Sequence, residues 1–146
     1  MKLKTPKAIS HGHANLCREL RGIINKYKNN EEQIKLLEKL MAEHFHKEEK
    51  YAMPPLGLLL TLSEGNWEIN KETAIEMSQT VNSKLVELKE DHKKISKIVA
   101  QLDLIAKKEN NSDLEIFLNN LIIHMDLEDE VLYPTAILIG DYFKKL

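Results

Sequence analysis

The chain has 146 residues, 30% of them charged, a formal net charge of −2, a single cysteine, five glycines and four prolines. That length fits one compact domain with a sizeable core, and the scarcity of glycine and proline points to an all-helical protein. Near-zero charge argues against a dedicated nucleic-acid binder. The lone Cys17 excludes an intrachain disulfide and makes the reducing cytoplasm the expected location. Residues Met1 to Pro6 lack the apolar stretch of a signal peptide, and the longest apolar run, Leu56 to Leu62, is too short to span a bilayer, so no membrane partner is expected.

Four helical segments emerge from periodicity and caps. The first opens at Thr5-Pro6, read as an N-cap with proline at the first helical position, and ends near Lys28-Asn29-Asn30. Its apolar stripe includes Ile9, His13, Leu16, Leu20, Ile23 and Ile24. The second starts at Asn30, with Gln33 placed for a capping interaction, and is disturbed at Pro54-Pro55. Its inward face carries Ile34, Leu37, Met41, His44, Phe45 and Glu48. The connection Leu56 to Asn70 holds Trp67 and is expected to pack across one end of the molecule. The third helix spans Lys71 to Lys108, with Val81, Leu85, Leu88, His92, Ile95, Val99 and Leu102 at helical spacing. After a break at Asn110-Asn111, Ser112-Asp113-Leu114-Glu115 reads as a capping box. The fourth helix carries Phe117, Leu121, His124 and Glu128; Pro134 is expected to kink it and Gly140 to weaken its end.

The halves repeat. A shift of 79 lays His13 on His92 and Leu20 on Val99; a shift of 80 lays His44 on His124, Glu48 on Glu128, Glu49 on Asp129 and Pro54 on Pro134. A helix hairpin used twice, at about 5–54 and 71–140, predicts an up-down-up-down four-helix bundle as a single domain over 1–146. His13 and His44 lie equally far from the Asn29-Asn30 turn, and His92 and His124 equally far from the turn at Asn110-Asn111. Each is about 16 residues, or roughly 24 Å, from its turn, so the four histidines are expected in one layer. Glu48 and Glu128 come four residues after their histidines and share their faces.

Four imidazoles and two carboxylates buried together would be very costly without a cation. The mixed nitrogen and oxygen set fits two metals roughly 3.5–4 Å apart. In the simplest arrangement each takes two histidines and one oxygen from each glutamate, a solvent oxo or hydroxo bridge adds a fifth ligand, and one position stays open. His11 and His46, each two residues from a proposed ligand, should face away. Glu49 and Asp129 read as supporting or surface groups. Cys17 reads as a small core side chain, with a redox-reactive thiol as the alternative, and Tyr51 and Tyr133 as pocket-lining or packing residues.

At His44-Phe45-His46-Lys47-Glu48-Glu49 and His124-Met125-Asp126-Leu127-Glu128-Asp129, with Gly12-His13 and Asp91-His92, the chain resembles the hemerythrin-like, or HHE cation-binding, family. The resemblance covers nearly the whole chain. It implies a four-helix bundle around a non-haem di-iron centre, with His13, His44, His92 and His124 as terminal ligands and Glu48 and Glu128 bridging two iron ions. Zinc or manganese are the substitutes to consider. The oxygen-carrying members have a fifth histidine four residues from the third-helix ligand, and here those positions are Leu88 and Ser96. The four-histidine, two-glutamate set is nearer the repair-of-iron-centres branch. That branch carries a further N-terminal domain with a cysteine pair, for which this chain has no room, so a lone bundle domain is expected. The resemblance implies binding, sensing or scavenging of oxygen, nitric oxide or peroxide, in oxidative or nitrosative stress or iron homeostasis. The alternatives are a di-iron peroxidase, oxidase or nitric-oxide reductase, and a zinc-bound or metal-free structural bundle.

Overall fold

The structure, a computed structural model, describes residues 3–146. It is all-helical, with no strand among the described residues. Helix α1 spans Lys7–Lys26 and α2 spans Glu31–Lys47. A π-helical turn, Glu48–Ala52, a 3-10 turn, Pro54–Leu58, and a short helix α3, Leu59–Ser63, lead to the long α4, Lys71–Lys108. Helix α5 covers Ser112–Leu127; a second π-helical turn, Glu128–Leu132, joins it to α6, Tyr133–Lys144.

The expected elements form, but several ends are built differently. Thr5 does not cap α1: the cap position is Pro6, and the Thr5 hydroxyl donates to the Glu49 carbonyl at 2.9 Å. Gln33 makes no capping bond, and Asn30 enters α2 at φ 61°. Its repeat-equivalent Asn110 also lies in the left-handed region, at φ 54°, so both hairpins reverse through the residue type that best tolerates it after glycine. Helix α5 is capped by Asn111, whose side chain accepts from Leu114 N–H, rather than by Ser112. Pro134 lies in the first turn of α6, directly after the π-helical turn Glu128–Leu132. Gly140 has a packing role: a Cβ there would run into Ser78 of α4, whose hydroxyl donates to the Ala136 carbonyl at 2.7 Å. The connection packs only in part; Leu56 and Leu58 are buried while Leu60 and Trp67 are exposed.

Helix α4 packs against α2, α5 and α6, and α1 against α2 and α5. Two apolar clusters result. One holds Leu20, Ile24, Leu37, Met41, Phe45, Ile95, Leu102, Leu121 and Met125. The other holds Ala52, Met53, Leu56, Val81, Leu88, Tyr133, Ile139 and Phe143. Three of the proposed ligands fall, along the chain, between a member of one cluster and a member of the other: His92 between Leu88 and Ile95, Glu48 between Phe45 and Ala52, Glu128 between Met125 and Tyr133. The polar layer falls between the two apolar clusters.

Candidate metal centre

Each hairpin contributes three side chains to the layer: His13 from α1, with His44 of α2 and Glu48 opening the first π turn; His92 from α4, with His124 of α5 and Glu128 opening the second. Their ligand atoms form two groups that share both carboxylates: His13, Glu48, His124 and Glu128 in one, His44, Glu48, His92 and Glu128 in the other, with the atoms of each within 4.8 Å of one another. Each pocket pairs one histidine from each hairpin. Glu128 divides its oxygens between them: Oε1 lies 3.0 Å from His92 Nε2, and Oε2 lies 3.2 Å from His124 Nε2 and 3.5 Å from His13 Nε2. Glu48 Oε1 faces His44 Nε2 at 3.4 Å and His13 Nε2 at 3.5 Å. Phe45 stacks on His13 with ring centroids 4.0 Å apart.

A shell of carboxylates orients three of the rings. His13 Nδ1 donates to Glu49 at 3.1 Å, His44 Nδ1 to Asp91 at 2.9 Å and His92 Nδ1 to Asp129 at 3.0 Å. Lys47 holds Asp91 from outside at 3.0 Å. A proton fixed on Nδ1 leaves the Nε2 lone pair pointing inward. Yet His44 Nε2 and His92 Nε2 are only 2.9 Å apart, a repulsive approach of two lone pairs unless a cation or proton lies between them. His13 Nε2, His124 Nε2, Glu48 Oε1 and Glu128 Oε2 are buried with no hydrogen-bond partner. Unpartnered polar atoms are expensive, and these four converge, so the donor set fits a pair of cations well.

The electrostatics agree. Burial, followed by the nearby Glu128, lifts the Glu48 carboxyl to about 7. Burial acts upward on Glu128 too, but the closeness of the Glu48 carboxyl and of the His124, His13 and His44 imidazoles outweighs it and holds Glu128 below the usual carboxylate range. This is how two adjoining carboxylates sharing one proton behave. Burial would lower His44, but the Glu128 and Glu48 carboxylates beside it raise it to about 10. The layer therefore holds protons tightly, and a divalent cation is the natural replacement for them.

A family model for the hemerythrin HHE cation-binding domain matches residues 8–136. The chain belongs to the hemerythrin family. No curated protein and no solved structure matches it. It carries a His/Glu cluster able to hold a metal ion, and among the described residues no helix is long and apolar enough to cross a membrane. His11 and His46 are exposed and lie outside both groups.

Tyr133 is the main participant that periodicity alone leaves open. Fully buried, its hydroxyl donates to Glu48 Oε2 at 2.5 Å and lies 3.3 Å from both His44 Nε2 and His92 Nε2. At α-helical spacing it would stand about 140° around the axis from Glu128. The π turn, closed by Tyr133 N–H on the Glu128 carbonyl, carries it back over Glu128 instead. The only signal of this in the sequence is its place five residues after a proposed ligand.

Proposed function

We propose that this hemerythrin-type domain is a non-haem di-iron protein that binds, senses or scavenges oxygen or nitric oxide, in oxidative or nitrosative stress or iron homeostasis. The reading includes a single up-down-up-down four-helix bundle over 1–146 with hairpins at about 5–54 and 71–140, a cytoplasmic location and the four-histidine, two-glutamate ligand set. The observation that carries it is the convergence of His13, His44, His92, His124, Glu48 and Glu128 into two pockets that share both carboxylates. Bound iron would supply reversible redox chemistry and an exchangeable position for a small ligand. The chain's own residues do the rest. The four histidines would hold the metals, Glu48 and Glu128 would be shared between them, and Glu49, Asp91 and Asp129 keep three imidazoles in the ligating orientation. Tyr133 keeps a hydroxyl proton at Glu48 Oε2. Leu88, buried in the apolar cluster four residues before His92, stands where the oxygen carriers have their fifth histidine. The set therefore favours the repair-of-iron-centres type. A groove of about 270 Å³ lined by Leu85, Lys89, Asp129, Tyr133, Pro134, Ile137 and Leu138 lies beside the His44–His92 pocket.

The test is anaerobic loading with ferrous iron, then optical spectra before and after oxygen and nitric oxide. Two irons per chain and a new visible band with either gas support the reading; fewer than one iron, or a spectrum blind to both, contradicts it. The Tyr133 hydroxyl also favours a second reading, catalysis, because it places a hydrogen-bond donor at the centre. Peroxide or nitric-oxide turnover that falls in Tyr133→Phe supports an enzyme, and turnover equal to that of free iron excludes one.

A further inference from the structure

The repeat predicts four outer carboxylates, and only three are present among the described residues. The His13–Glu49 and His92–Asp129 pairs are related by the shifts of 79 and 80. The remaining pair, His44–Asp91, has as its counterpart His124 with residue 12, which is glycine. Among the described residues, no hydrogen bond is made to His124 Nδ1. The His124 side chain is also the most open of the four, 18% exposed against 1% for His44, 3% for His13 and 6% for His92. A Cβ at Gly12 would meet nothing within 4 Å, so packing does not demand the glycine. Nor does the backbone, since Gly12 lies within α1 without a positive φ.

Building on the di-iron reading, we propose that the two metal positions are unequal by construction: the His13–His124 pocket is the exchangeable one, and the His44–His92 pocket, steadied by Asp91 and Lys47, is the retained one. An imidazole whose far nitrogen donates to a carboxylate is a better base and is fixed in orientation; loss of such a partner typically weakens metal binding by about 10–100-fold. His124 lacks the partner and its side chain is the most exposed of the four, so the metal it would hold has the weaker and more open ligand. The ion that exchanges is a divalent cation, and the exchange is a simple ligand replacement by water or a chelator, with no change of oxidation state.

The experiment loads the chain anaerobically with ferrous iron and adds an excess of a coloured iron chelator. Two release phases of one equivalent each are expected, separated by at least about 10-fold in rate. Gly12→Asp should slow the fast phase by about 10-fold or more, and Asp91→Ala should accelerate the slow phase. Gly12→Ala separates ligand support from helix propensity: it should raise thermal stability and leave both phases unchanged. Two equivalents leaving in one phase, or Gly12→Asp and Gly12→Ala behaving alike, would overturn the proposal while leaving the di-iron reading intact. A chain that never takes up two equivalents overturns both.

Discussion

Replacing Tyr133 with phenylalanine removes one oxygen from the centre of the molecule and nothing else. In the metal-free protein that oxygen is the donor to Glu48 Oε2 at 2.5 Å, and Glu48 is completely buried. A hydrogen bond to a charged or partly charged acceptor contributes about 1.5–3 kcal/mol, and its loss leaves the carboxylate unsatisfied. Taking about 2 kcal/mol, the melting temperature of a chain of this length should fall by roughly 6–8 °C. Bound metals would neutralise the same carboxylate, so the variant loaded with iron should fall by less than half as much. Thermal unfolding followed by circular dichroism, on metal-free and iron-loaded samples of both proteins, measures the difference. An unchanged metal-free melting temperature, or equal losses in the two states, would refute the placement of the hydroxyl on Glu48.

Other consequences are as direct. His92→Ala should abolish most metal uptake, whereas exposed His46→Ala should leave it intact; equal losses in elemental analysis would overturn the face assignment. Gly140→Ala should destabilise the fold by about 1–3 kcal/mol, because the new methyl meets Ser78 and forces α6 off α4; denaturant titration without a shift in midpoint would contradict that contact. The pH dependence has a defined sign. His44 is raised from 6.5 to about 10, so its contribution to metal-free stability is fully present below about pH 6.5 and is lost as pH rises toward about 10. Metal must displace those protons, so chelator competition should show affinity increasing over the same range. A metal-free protein that gains stability between about pH 6.5 and 10 would contradict the proton-holding layer.

Much of the centre is legible in the chain because helices convert spacing into faces and depth. The matched gaps from His13 to His44 and from His92 to His124, with a glutamate four residues on, bring all six side chains into one layer. Spacing does not convey the backbone's departure from α geometry. The two π turns start at Glu48 and Glu128 and re-aim the side chains beyond them, which is why Tyr133 enters the layer. Side-chain periodicity carries no mark of a single wide turn. The outer carboxylates are half visible. Glu49 and Asp129 are paired by the repeat, but their targets, His13 and His92, lie on other helices and many residues away. Asp91 is adjacent to His92 in sequence and serves His44 instead, since neighbours on a helix point about 100° apart. The caps shift by a residue because local hydrogen bonding among Thr5, Asn111 and their neighbours is settled by packing that propensity does not include.

Glu48 and Glu128 belong to both pockets and would be shared by two metal ions. Iron content per chain after anaerobic loading and desalting, for the native sequence, Glu48→Ala and the outer variant Glu49→Ala, tests this sharing most directly. Two irons are expected for the native chain, nearly none for Glu48→Ala and reduced but measurable iron for Glu49→Ala. A native chain that holds one iron or fewer, or a Glu48→Ala variant that still holds two, would contradict it.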